Sequence, residues 1–127
     1  MTRYIVIDAD EQLDSILSDF GFSILKDLEK VKLTPPELTE LLKDKLEEIV
    51  TNEKARIYVV GHFCIKKQRL SHDNKGKSNG LRVYLIINMK TNFTITPIRL
   101  YSAKHKPKNE NKEEMQLKKI LDSIING

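Results

Sequence analysis

The sequence has no tryptophan, a single cysteine, and only five glycines and four prolines among its 127 residues. One cysteine, Cys64, excludes an internal disulfide framework, and a reducing cytoplasm suits such a chain. There is no C-x-x-C, and the three histidines His62, His72 and His105 are scattered without metal-ligand spacing, so no metal is expected. Walker loops, G-x-G-x-x-G and H-E-x-x-H are all missing, which removes the commonest nucleotide-binding and zinc-dependent chemistries. No apolar run is long enough to cross a bilayer. The short one after the initiator ends in Asp8 and Asp10, too soon for the apolar region of a signal peptide. The expectation is a soluble, cytosolic protein with no membrane partner. At this length the chain can bury about two-thirds of its unfolded surface, enough for one domain over residues 1–127.

Acids are scarce in one half of the chain. Residues 1–55 carry 7 Lys/Arg against 13 Asp/Glu, a net of −6, while residues 56–127 carry 15 against 5, a net of +10. Between Arg56 and Lys108 the only acid is Asp73. A surface so one-signed attracts polyanions, so a nucleic acid or an acidic protein partner is expected. The competing reading is a solvated lysine-rich face that only keeps the protein soluble.

The apolar pattern predicts an α+β fold. Residues 4–7 read as a short strand. Asp8 or Asp10 can then cap a helix carrying Leu13, Ile16, Leu17 and Phe20, and Gly21 is a plausible stop. Ile24, Leu25, Leu28 and Val31 repeat the helical spacing. Thr34-Pro35-Pro36-Glu37 is a start signal, with Thr34 and Glu37 as a capping box and proline tolerated in the first turn. Leu38, Leu41, Leu42, Leu46, Ile49 and Val50 then predict one amphipathic helix with an acidic outer face. From Arg56 the period becomes two. Residues 57–65 read as one strand holding a partly buried His62, and residues 81–88 as a second, with Leu81, Val83, Leu85 and Ile87 on one face and Arg82, Tyr84, Ile86 and Asn88 on the other. Thr91-Asn92 is a tight connection to a third strand over 93–101, where Pro97 marks an edge or a bulge. An antiparallel meander follows from this, closed by a helix that a capping box over Asn111 to Glu114 begins.

Chemistry concentrates in residues 66–82, KKQRLSHDNKGKSNGLR. A hairpin brings Lys66, Lys67 and Arg69 near Lys75, Lys77 and Arg82, and the third strand returns Arg99, Tyr101, Lys104, His105 and Lys106 to the same sheet. Such a cluster suits a phosphate backbone. The alternative is a hairpin whose charges merely protect an edge strand. Cys64, in an apolar strand, is a poor nucleophile.

The segments KGKSNGLRVYLIIN (75–88) and ITPIRLYSAKHKPKNENKEEMQLKKIL (95–121) resemble the C-terminal half of RelE/ParE-type bacterial toxins, including the HigB-like group. The shared pattern is a glycine-rich turn, G-x-R-V on a strand, an I-Y-x-K-like strand end, an Asn-bearing loop and a last helix. The resemblance implies an N-terminal strand and helices packed on a twisted antiparallel sheet. It also implies an mRNA endoribonuclease, acting on the ribosome and inhibiting translation, that is held by a cognate antitoxin and needs no cofactor. Arg82 corresponds to the strand arginine that contacts the scissile phosphate. Lys104, His105 and Lys106 fall where the family places a further basic residue, and Lys66, Lys67 and Arg69 fall in its basic strand. The departures are that the last aromatic is Tyr101, the last histidine is His105, and the helical region before Arg56 is longer. Cleavage through a 2′-hydroxyl needs a proton acceptor, a proton donor and cations for the phosphate oxygens. Arg82 can serve only the last role, with Lys66, Arg69, Lys75, Lys77, Arg99 and Lys106 as RNA contacts. His105, Lys67 and Lys104 are alternatives for proton transfer, and Tyr101 can stack on a base. A ParE-like gyrase inhibitor that cuts nothing, and a non-catalytic RNA-binding accessory protein, are the other two functional readings.

Overall fold

The computed structural model describes residues 3–6, 11–71, 80–90 and 92–126. The elements in chain order are β1 (Arg3–Val6), α1 (Glu11–Asp19), α2 (Ile24–Val31), α3 (Pro35–Asp44), α4 (Leu46–Thr51), β2 (Arg56–Val60), β3 (Phe63–Leu70), β4 (Leu81–Asn88), β5 (Asn92–Ser102) and α5 (Glu110–Asn126). Two 3-10 turns, Glu53–Ala55 and Ala103–His105, precede β2 and follow β5. The α+β class holds.

The five strands form one sheet in the order β1-β5-β4-β3-β2. From β2 to β5 the pairing is antiparallel, as the meander requires, whereas β1 pairs parallel to β5, with Tyr4 opposite Phe93 and Val6 opposite Ile95. The sheet is therefore mixed rather than antiparallel throughout. A crossover through the α1–α4 region permits this, because a parallel pair needs a long connection.

Both faces are covered. Leu81, Val83, Leu85 and Ile87 of β4 pack with Cys64, Ile95 and Leu100 against Ile24, Leu28, Leu38, Leu42 and Ile49 of α2, α3 and α4. Tyr84 and Ile86, on the other face, join Ile65 and Ile98 against Leu17 of α1 and Leu117, Ile120 and Leu121 of α5. The alternation read in β4 is thus real, with apolar partners on each side.

Local signals decide where the helices begin and end. Thr34 Oγ1 accepts from the Glu37 amide at 3.3 Å while Glu37 Oε1 accepts from the Thr34 amide at 3.1 Å, the capping box expected there. Gly21, at φ +85, turns the chain after α1 in a conformation that favours glycine. The cap expected at Asp8 or Asp10 lies outside the described residues, as does Thr91.

Several sequence readings are corrected. The single helix expected over 38–50 is two. The Lys45 amide bonds to the Leu42 carbonyl at 3.0 Å, tightening the last turn of α3, and α4 starts afresh. An apolar stripe specifies which face is buried, not that the axis is continuous. The strand expected over 57–65 is a hairpin: Val60 pairs with Phe63, and Gly61, at φ +57, with His62 makes the two-residue turn. His62 is exposed there, not half-buried in a strand. The cap of α5 is Asn109, whose Oδ1 accepts from the Lys112 amide at 3.0 Å, two residues before the expected start. Pro97 does mark an irregularity, since Arg99 faces Tyr84 while Pro97 faces Leu85, leaving Ile98 as an extra residue in β5.

Lys66 is the unexpected part of the core. Only 1% exposed on β3, it donates from Nζ to the carbonyls of Ile49 and Val50 at the end of α4. These last-turn carbonyls have no partner within the helix, and a cation at a helix C-terminus also answers its partial negative charge. Lys66 was expected on an RNA-binding surface; its enclosure corrects that placement.

Burial pushes the Lys66 ammonium below its ordinary value of 10.5, so the unfolded chain holds this proton more tightly than the folded one. Relative to Lys66→Met, which does not titrate, the wild type should therefore gain stability as pH rises toward 10.5. Lys66→Ala, which orphans two carbonyls and leaves a cavity, should cost about 3 kcal/mol at neutral pH. Urea unfolding of the three proteins at several pH values checks both.

Candidate functional site

The basic residues of the C-terminal half divide into two kinds, those already neutralised inside the protein and those left open. Arg99 belongs to the first. Its Nη1 donates to Asp27 Oδ1 of α2 at 2.8 Å and its Nε to Glu113 Oε1 of α5 at 2.7 Å. Asp27 Oδ2 also accepts the Leu100 amide at 2.9 Å, and the residue is only 6% exposed. Burial pushes the Asp27 carboxyl up, against the Leu100 amide and Arg99. For Arg99 burial works against the charge, but Glu113 and Asp27 outweigh it and raise its pKa. Arg99 was expected among the RNA contacts; with one acid from each helical layer it is a structural tie, and that expectation is corrected.

Lys67 is intermediate. Its Nζ lies 3.1 Å from Glu110 Oε2 and 3.9 Å from Glu114 Oε2, and 5.5 Å and 5.9 Å from the ring centres of Tyr84 and Tyr101. Burial is outweighed by the nearby Tyr101 hydroxyl and Glu110, so the ammonium sits above its ordinary pKa and is a proton donor rather than a base. Tyr84 gives its hydroxyl hydrogen to Glu114 Oε2 at 2.8 Å. Tyr101 is buried, with the Arg99 and Lys67 cations over its ring, so the expected base stacking has no exposed ring to use.

Arg69 and Arg82 are the open pair. They face each other across β3 and β4, and among the described residues neither has a carboxylate within ion-pairing distance. Like charges directly opposite on a sheet are destabilising, so nothing in the fold calls for this pairing. Arg82 leans against Gly80: a Cβ added there would come 3.1 Å from Arg82 Nη1, which instead bonds to the Leu81 carbonyl at 3.3 Å. Both arginines line a cleft of about 370 Å³ with Lys67, Lys54, Asn52 and Glu48. The cleft exists because β2 pairs with β3 only as far as Lys66, leaving β3 from Lys67 onward without a paired strand on that side among the described residues. Lys54, Asn52 and Glu48 come from the end of α4 and the 3-10 turn after it; nothing in their spacing announced this, and Glu48 read only as part of an acidic outer face.

Lys104, His105 and Lys106 are exposed beyond β5, with His105 Nδ1 3.0 Å from Ser102 Oγ. His105 lines a different cleft, of about 400 Å³, with Lys30, Asp27 and Ser102. The structure thus brings Arg82, Arg69 and Lys67 together but not His105 with them. Lys75 and Lys77 lie outside the described residues. A further cleft, of about 590 Å³, between α1, α5 and the sheet has Leu13, Ile16, Phe63 and Ile86 on its walls and, among the described residues, no charged side chain to hold a polyanion. Among the described residues no group of three metal-ligating side chains occurs, and no helix is long and apolar enough to cross a membrane. No protein-family model and no curated protein matches the chain.

The division of the arginines is testable by stability alone. Arg99→Ala strands Asp27 and Glu113 and should cost about 3 kcal/mol. Arg82→Ala removes a like-charge opposition and should leave stability within about 0.5 kcal/mol or raise it. Thermal melts of both variants, followed by circular dichroism, should separate them clearly.

Proposed function

We propose that this chain is a small toxin of the RelE/ParE type that cleaves messenger RNA, on the ribosome, and is silenced by an antitoxin presenting an acidic segment. The observation that carries the reading is the Arg69–Arg82 pair, two guanidinium groups on adjacent strands lining one cleft, with no ion-pairing carboxylate among the described residues. Its support is the order of elements, an N-terminal strand and helices before an antiparallel meander and a closing helix, together with the G-x-R-V and I-R-L-Y-S-A-K segments.

The chemistry follows from what lines the cleft. Two guanidinium forks grip the phosphate and answer the charge that develops on its oxygens. Among the described residues Glu48 is the carboxylate lining that cleft, and it takes the proton of the 2′-hydroxyl. The freed oxygen attacks phosphorus, a 2′,3′-cyclic phosphate forms, and the bond to the 5′-oxygen breaks. Lys67, kept protonated by its surroundings, gives that oxygen its proton. His105 is assigned no step.

One observation favours a second reading. His105, the histidine of the basic segment after β5, lies in another cleft than Arg82, as befits a ParE-like inhibitor of gyrase that needs no proton transfer.

Induced without its partner, the chain should arrest bacterial growth and produce new 5′ ends within coding regions, read by primer extension. Intact messages with gyrase-dependent DNA breaks would establish the second reading instead. Arg82→Ala should lower cleavage by on the order of 100- to 1,000-fold. Arg82→Lys should rescue poorly, since an ammonium cannot grip two oxygens.

A further inference from the structure

The two basic clefts lie at the same end of the sheet. Arg69, Arg82 and Tyr101 stand side by side across β3, β4 and β5, and Leu70, Leu81 and Ser102 form the next row. Strands are spaced by about 4.8 Å, so Arg69 and Ser102 stand roughly 10 Å apart across the sheet, two strand spacings, and because successive rows alternate, Ser102 is on the face opposite Arg69 and Arg82 at the same end of the sheet. Among the described residues, what joins that end of β4 to β5 is small: the Ala103 amide bonds to the Gly80 carbonyl at 2.8 Å, setting a methyl beside a residue with no side chain.

The second cleft is built for an anion. Lys30, in the last turn of α2, is exposed and among the described residues has no carboxylate within ion-pairing distance. Ser102 Oγ and the His105 ring lie beside it, with Lys104 and Lys106 exposed on either side of His105. Asp27 lines the same cleft, but Arg99 and the Leu100 amide occupy its oxygens. Phosphate contacts of this kind position a nucleic acid without reading its sequence.

We propose that a single RNA strand held at Arg69 and Arg82 continues over Gly80 and Ala103 into the second cleft, where Lys30, Ser102 and His105 hold a second phosphate. The proposal rests on the RNA-binding reading above and adds a footprint and a direction to it. A single strand suits the path because it can bend over the end of a sheet, which a duplex cannot do within so short a span.

The test uses the full chain and oligouridylates carrying 2′-O-methyl groups, which bind but lack the attacking hydroxyl. A dinucleotide reaches one cleft and a decanucleotide reaches both, so fluorescence titration should show the longer probe binding on the order of 100-fold more tightly. Lys30→Gln and His105→Gln should each shrink that ratio, and Lys30→Gln should lower the salt slope of decanucleotide binding by about one. Both residues are exposed, and matching thermal melts would exclude unfolding. A length gain below about tenfold, which the many registers of a longer chain supply by statistics, would overturn the path while leaving RNA binding intact. So would variants that leave the ratio unchanged. If neither probe binds, or if only polyglutamate does, the RNA reading itself falls and the path with it.

Discussion

The fold is tied together by one buried carboxylate. Asp27 reaches from α2 to the Arg99 guanidinium and the Leu100 amide, and Arg99 reaches on to Glu113 of α5. One side chain on the central sheet is thereby clasped by an acid from each of the two helical layers that cover it. A buried ion pair of this sort adds little net stability compared with an apolar substitute, but breaking it is costly, so it fixes the relative placement of α2, β5 and α5. Everything at the end of the sheet where β3, β4 and β5 run beyond β2 inherits that placement.

The clasp also decides which positive charges remain for a ligand. The first two turns of α5 bring Glu110, Glu113 and Glu114 over the sheet, where they satisfy Lys67, Arg99 and the Tyr84 hydroxyl. Lys66 is spent on the carbonyls of α4 from the other layer. The basic composition of the C-terminal half therefore does not by itself say which cations reach the surface, because Lys66 and Arg99 are enclosed and Lys67 is partly so. At the two clefts, what stays open is Arg69 and Arg82 beside the short β2, and Lys30 with the residues after β5.

The acidic N-terminal half is explained in the same terms. Asp27 stands at i+3 in the apolar series Ile24, Leu28, Val31, an acid on a stripe that otherwise enters the core. That position is itself a signal that a buried cation awaits it, and Arg99 is that cation. The exposed acids of α3 and α4, such as Glu40 with Lys43 and Glu48 with Lys45, make only long surface pairs of 3.7 Å, which contribute little.

Local chemistry was legible in the sequence wherever one residue type had one physical use. The Thr34–Glu37 box, the turn at Gly21, the two-faced alternation of β4 and the irregularity at Pro97 all depend on neighbours within a few positions. The Gly61-His62 turn hid inside an apolar run because both strands of that hairpin are apolar, and the break at Lys45 hid inside a continuous stripe. The candidate site was legible only in part: the motif around Arg82 marks the strand, and the strand period puts Arg82 on the face opposite Leu81. Which basic residues stay open was decided by tertiary structure alone. A lysine or arginine looks the same in sequence whether it meets water, a helix-end carbonyl or a carboxylate dozens of residues away, and only packing brings Ile49 to Lys66, Asp27 to Arg99 and Glu110 to Lys67 while leaving Arg69 and Arg82 to face each other.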